Sequence, residues 1–282
     1  MHVLERPTYA AEKNTIQVDG RRVHYRRSGT GPPLVMIHGL VGASRQWHEN
    51  IEALAAIRTV YAPDSANMGE SERRIGVDPG IAAQVARIIA WMDAVGIPAA
   101  DFVGHSHGSA ILIVLAARHP ERVRRLALFC PPNSYCDLGG PQVRFYATWL
   151  GGLFARRIIP LMPRFMWRRS LARVYGDPTR MTEAAFEGSI AGLDRATIIH
   201  IVDVMRGWQA DMAQVDASLP ALDPSRTALF WGDLDRAVSI LSGRKLAEMF
   251  GFPLIVIEGT GHLPFLERPE ETNKVLLRWL NR

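Results

Sequence analysis

The run Gly104-His105-Ser106-His107-Gly108 constrains this chain more than any other stretch of it. An apolar, β-rich segment, Asp101-Phe102-Val103, comes directly before it, and a helical pattern from Ser109 to Arg118 follows. A serine held between a strand and a helix sits on a sharp, strained turn. Such a turn requires small residues two places before and two places after. Gly104 and Gly108 occupy those places. The turn exposes the Ser106 oxygen, and the following helix N-terminus aims backbone N–H groups and a positive dipole end toward it. The motif alone is weak, because a serine that only caps the helix reads the same way. Its flanks, and the partners found downstream, give it meaning.

The rest of the chain alternates strands with helices. Thr15–Val18 and Arg22–Tyr25 alternate apolar and polar residues around Asp19-Gly20, the signal for a tight hairpin. Leu34–Ile37, Thr59–Ala62, Val123–Cys130, Thr227–Trp231 and Leu254–Ile257 read as further strands. Helices are expected over Ser44–Ala56, Ile81–Val95, Ile240–Phe250 and Pro269–Trp279. This rhythm predicts a parallel sheet covered on both faces. Between Pro131 and Pro224 it breaks into a helical stretch rich in Trp, Met and Arg with no convincing strand. The predicted organisation is therefore a core of residues 1–131 and 223–282, split by a helical cap of residues 132–222.

A nucleophilic serine needs a base, an acid to orient that base, and an oxyanion hole. Four histidines follow Ser106. His107 is too close to turn back on its neighbour, His119 sits a helix length away, and His200 lies inside the insertion. His262, in a loop directly after a strand, is the base by elimination and by position. Asp233 and Asp235 both follow Thr227–Trp231, and either could orient it.

With these residues in hand, the chain resembles the α/β-hydrolase family from about Gln17 to the C-terminus, outside the insertion. The resemblance rests on His38-Gly39, on Ala62-Pro63-Asp64 with Gly69 and Ser71, on Gly104–Gly108, on Trp231–Asp235 and on Gly261-His262. It implies an α/β fold with a mostly parallel eight-stranded sheet, helices on both faces and an inserted helical cap. It selects Asp235 over Asp233 as the acid. It also implies that the backbone N–H groups of Leu40 and His107 form the oxyanion hole. Serine in place of an aspartate nucleophile argues against dehalogenase and epoxide hydrolase chemistry, which need a carboxylate. Ser109 stands where many relatives carry a second glycine, and Ser239 where a proline often follows the acid turn.

Competing readings of single residues are blander. His105 and His107 form an H-x-H pair but lack further metal ligands at short spacing, so no metal is expected. Gly29-Thr30-Gly31 precedes a strand rather than following it and is not a dinucleotide fingerprint. His38 is expected to hold its turn, and Trp47, Trp149, Trp167 and Trp208 to pack in the core or the cap.

The formal charge of +5 over 282 residues says less about partners than it first suggests. Gly151 to Arg180 carries Arg156, Arg157, Arg164, Arg168, Arg169, Arg173 and Arg180 against Asp177 alone, so the rest of the chain is near neutral. Interleaved with Phe154, Phe165, Met166 and Trp167, these arginines could meet a membrane surface or an anion, or form a solvated helix face. No nucleic-acid-reading module is visible. Cys130 and Cys136 are too few for a disulfide scaffold. The longest apolar run, Ala110–Ala117, is too short to span a bilayer, and the N-terminus lacks a signal-peptide core, so a cytoplasmic location is expected.

The activity expected is ester or acyl hydrolysis by Ser106, His262 and Asp235, without metal or organic cofactor. A small, hydrophobic molecule is the expected substrate, and the sequence leaves a homodimer open. Two alternatives stand beside it. One stays within the fold: a carbon–carbon bond hydrolase of ring-cleavage dienoates, a lactonase or a perhydrolase. The other is a small-molecule sensor or carrier with little turnover.

Overall fold

The computed structural model describes residues 11–135, 144–146, 148–190 and 192–282. Cys136 and the first ten residues lie outside them. Eight strands form one sheet: β1 (Glu12–Val18), β2 (Arg21–Ser28), β3 (Pro33–Ile37), β4 (Thr59–Pro63), β5 (Ala100–His105), β6 (Val123–Phe129), β7 (Thr227–Gly232) and β8 (Leu254–Ile257). Their spatial order is β1-β2-β4-β3-β5-β6-β7-β8. The β1–β2 and β2–β4 pairs are antiparallel and every other pair is parallel. Asp19 and Gly20 both have positive φ, 49° and 69°, as a two-residue hairpin demands.

Because the central strands are buried on both faces, successive residues feed two apolar layers. Val35 and Ile37 of β3 join one layer, and Leu34 and Met36 join the other. The first layer receives α2 (Ile81–Val95) and α3 (His107–Arg118); the second receives α1 (Ile51–Ala55) and α10 (Pro269–Leu280). Helix α8 (Ile240–Phe250) links β7 to β8, and the short α9 (Pro264–Glu267) precedes α10.

The single helix expected over Ser44–Ala56 is broken. A 3-10 turn at Ser44–Trp47 is separated from α1 by residues 48–50, and the side-chain amide of Asn50 donates to Phe265 O (3.1 Å) and to Asn273 Oδ1 (2.8 Å). These long-range bonds hold the chain out of register for a continuous helix, while Trp47 and Ile51 still pack in the core.

Between β6 and β7 lie α4 (Trp149–Arg157), α5 (Arg164–Ala172), α6 (Glu183–Ile190) and the 24-residue α7 (Arg195–Ser218). No strand occurs there among the described residues. The second half of α7 belongs to the core, through Met212 and Val215, and Asp211 accepts a bond from the first N–H of α2 (3.0 Å). Among the described residues no helix is long and apolar enough to cross a membrane.

Candidate active site

Ser106 joins β5 to α3 at φ 51° and ψ −120°, a conformation that side chains rarely adopt. Two close approaches explain the glycines around it. A Cβ on Gly104 would stand 2.8 Å from the Ser109 backbone, and one on Gly108 would stand 2.5 Å from the carbonyl oxygens of Ile37 and His38. The turn hangs from the neighbouring strand: Phe129 O accepts from Ser106 N (2.8 Å) and from Ser109 Oγ (3.0 Å). Ser109 thus uses its hydroxyl to brace the turn.

His262 lies in the loop after β8, and its Nδ1 stands 2.8 Å from Asp235 Oδ2 in the loop after β7. The other Asp235 oxygen accepts from Ala237 N (2.8 Å) and Val238 N (2.9 Å). Burial opposes the charge on Asp235, yet the facing His262 and these N–H groups prevail and hold its carboxyl below the ordinary range. Asp233 faces elsewhere. Its carboxylate accepts from Gly259 N (2.6 Å) and Thr260 N (3.3 Å) and shapes the histidine loop from outside. Buried Cys130 sits beside Asp235, and burial first and that carboxylate second keep its thiol protonated.

The other histidines have separate tasks. His105 Nδ1 meets Gln46 Nε2 (2.6 Å), and its Nε2 meets the His262 carbonyl (2.9 Å). Gln46 donates to the ring, so the His105 ring donates to His262. Burial, and then the nearby His262, hold the His105 ring well below the usual imidazole range. His107 points away, stacking on Trp208 at a centroid distance of 5.9 Å, so the H-x-H pair serves two different neighbourhoods. Its pKa is lowered to about 3 by burial, then by His200 and His38. His200 is lowered to about 4 by burial and then by Arg87. His38 holds its turn as expected, donating from Nδ1 to Gly39 O (2.8 Å) and accepting from Ser65 N at Nε2 (3.0 Å).

Three supports were not legible in the motifs. Gln46 and His105 position the His262 backbone. Glu267, buried, accepts from Gly261 N (2.6 Å) at one oxygen and from Gly176 N (2.9 Å) and Asp177 N (3.1 Å) at the other. The histidine loop is tied to the insertion a second time by His262 N donating to Val174 O (2.7 Å). A second buried pair, His24 Nδ1 with Asp64 Oδ2 (2.8 Å), lies at the edge of the sheet, where Asp64 also accepts from Ser44 N and Glu70 N. It is structural, joining β2, β4 and the turn after β3.

Ser106 and His262 open onto one cavity of about 280 Å³. Leu40 lines it on the core side, and Trp167, Leu171, Val174 and Ile190 line it from the insertion. The His107 N–H opens α3, where the first N–H groups lack helical partners. None of the seven arginines of the 151–180 stretch lines the cavity; Arg45 does, with its guanidinium 3.1 Å from Glu70. Trp47 and Trp208 pack as expected, but Trp167 faces the cavity and Trp149 is exposed to solvent.

A family model described as alpha/beta hydrolase fold matches residues 32–269. The chain belongs to the α/β-hydrolase family. This α/β hydrolase is 31% identical over 238 residues to a 2-hydroxymuconate semialdehyde hydrolase of Pseudomonas sp. (strain CF600), covering 81% of this chain and 79% of that one. Among solved structures it is similar to the meta-cleavage product hydrolase CumD from Pseudomonas fluorescens IP01, with TM-score 0.79 and 23% identity over 95% of this chain and 97% of that one. It is also similar to the Cif epoxide hydrolase from Acinetobacter nosocomialis, with TM-score 0.84 and 18% identity over 98% and 90% of the two chains. These structural likenesses speak to the fold, and the differing chemistries of the two neighbours leave the reaction to be argued from the site.

Proposed function

We propose that this α/β hydrolase cleaves a carboxylic ester or related acyl compound by covalent catalysis at Ser106. His262 takes the Ser106 proton as the hydroxyl oxygen attacks the substrate carbonyl. Asp235 holds the ring with Nδ1 toward itself and stabilises the imidazolium. The N–H groups of Leu40 and His107 receive the oxyanion, an interaction that exists only once charge has developed. The tetrahedral intermediate collapses, His262 protonates the departing alkoxide, and an acyl-Ser106 remains. Water, deprotonated by His262, then releases the carboxylic acid. Residues 132–222 act as the cap, with Trp167 and Leu171 selecting an apolar substrate.

The observation that carries this reading is the 2.8 Å contact between His262 and Asp235 beside a serine held at positive φ. Turnover of p-nitrophenyl butyrate tests it. Rapid turnover abolished in Ser106→Ala is the expected result, and equal rates in both proteins would overturn it. Ligand binding by both proteins with turnover by neither would point to a sensor or carrier.

A second reading, carbon–carbon bond hydrolysis of a ring-cleavage dienoate, is favoured by the named relatives. It would use the same three residues but needs a group to hold the substrate carboxylate. The one arginine lining the cavity among the described residues, Arg45, is already engaged by Glu70, which favours the neutral ester. Assaying 2-hydroxymuconate semialdehyde beside the ester decides between them through the larger kcat/KM.

A further inference from the structure

The insertion presents an inverted surface. Nine of the seventeen exposed large apolar side chains among the described residues lie between Phe145 and Met166. Helix α4 shows how this arises. Its small residues Gly151, Gly152 and Ala155 are buried, while Trp149, Leu150, Leu153 and Phe154 recur at helical spacing on the solvent side. An ordinary surface helix does the reverse. Leu161 and Phe165 extend the patch, and Trp149, Leu161 and Phe165 are 71%, 76% and 71% exposed. Apolar surface concentrated in this way marks an interaction face.

The charge around the patch says what would cover it. Arg156, Arg164 and Arg168 are paired with Asp203, Glu187 and Glu183. Arg157, Arg169 and Arg173 are exposed, with no carboxylate partner among the described residues. A two-fold contact with a second copy would gather two sets of these three cations into one interface as water leaves, and like charges there repel. A phospholipid surface with anionic headgroups offers the complement. Its acyl boundary receives Trp, Phe and Leu, and its phosphates receive the guanidinium groups. Trp149 has the amphipathic ring suited to the headgroup level.

We propose that the outer face of α4 and α5 docks this protein onto an anionic phospholipid bilayer without crossing it. The inner face of α5, through Trp167, Ser170 and Leu171, lines the Ser106 cavity, so docking sets the catalytic cavity directly behind the lipid-facing surface. The inference concerns where the protein sits and does not depend on which bond it cleaves.

Flotation with vesicles tests it, using phosphatidylcholine alone and phosphatidylcholine enriched in phosphatidylglycerol. The protein is expected to float with the phosphatidylglycerol vesicles at low salt and to be released as sodium chloride is raised. Trp149→Ser/Phe165→Ser and Arg157→Gln/Arg169→Gln/Arg173→Gln should each lower the bound fraction about tenfold or more. Both should retain the thermal unfolding transition and the ester turnover of the parent, since neither set lines the cavity. Flotation with neither vesicle, equal flotation with both regardless of salt, or flotation unchanged in both variants overturns the proposal. So does a dimer in sedimentation velocity that Trp149→Ser/Phe165→Ser dissociates in a protein that does not float, because a second copy then covers the face.

Discussion

Glu267→Gln tests how the histidine loop is held in place. The native carboxylate accepts three backbone N–H groups, from Gly261 at one oxygen and from Gly176 and Asp177 at the other. A glutamine fits the same space but has one acceptor oxygen and one NH₂ group. With its oxygen toward Gly176 and Asp177, its NH₂ meets the Gly261 N–H, donor against donor, and that buried N–H loses its partner at about 1–3 kcal/mol. The two surviving bonds lose their charge assistance, about 1 kcal/mol each. Against this, burial raises the Glu267 pKa, so removing the charge recovers part of the loss. The net expectation is a loss of about 2–4 kcal/mol, a large share of the ~5–15 kcal/mol that holds a typical domain together. Urea unfolding should show the midpoint falling at unchanged slope. Ester turnover should fall at least about tenfold in kcat with little change in KM, because His262 follows Gly261 directly. A variant within about 0.5 kcal/mol of wild type and with full kcat would refute the reasoning, since it would show that other contacts hold the loop.

Two further outcomes follow from the same geometry. Asp235→Asn should lower kcat by about 10⁴-fold with a small effect on KM, by disfavouring the productive His262 tautomer; kcat within tenfold of wild type would place the orienting acid elsewhere. Stability should also depend on pH through His107 and His200, whose pKa values are lowered from 6.5 to about 3 and about 4 in the folded protein. Below 6.5 the unfolded chain takes up protons that the folded chain refuses, so stability falls with pH until the folded values are reached. Each group contributes a slope of up to about 1.4 kcal/mol per pH unit. Urea midpoints measured from neutral pH down to about pH 4.5 should fall less steeply in His200→Gln than in wild type, and parallel curves would show that His200 does not titrate this way.

The parts of the site legible in the sequence were those written in local spacing. The elbow needs two glycines within five residues, and the strands announce themselves by short β-rich runs. Asp233 and Asp235 could not be told apart from spacing alone, and the resemblance had to select one. What separates them physically is that Asp235 turns inward to Ala237 N, Val238 N and His262 while Asp233 turns outward to Gly259 N. The roles of Gln46 and Glu267, and the support that His105 gives His262 beyond the H-x-H pair, are not written in local spacing because the partners lie far along the chain: Gln46 bonds His105, His105 bonds the His262 carbonyl, and Glu267 bonds Gly176. The break at Asn50 was hidden for the same reason, since its cause is Asn273. The arginine stretch looked unopposed because three of its counter-charges, Glu183, Glu187 and Asp203, fall beyond Arg180. Trp149 was expected to pack, and only the burial of Gly151, Gly152 and Ala155 shows that its helix is turned inside out.

The ties from Val174 O to His262 N and from Gly176 and Asp177 to Glu267 bear on how such a protein diversifies. An insertion that merely rested on the sheet could be exchanged whole, as a cassette, for one with another preference. This one contributes structural members to the histidine loop, so a transplanted replacement would have to reproduce a carbonyl and two N–H groups to hold that loop in place. New specificities are therefore more accessible through point changes on the inner surface, at Trp167, Ser170 and Leu171, than through recombination at the insertion's ends. The outer surface carries no such obligation to the histidine loop, so changes there bear on what the protein docks against and leave the chemistry beneath it undisturbed.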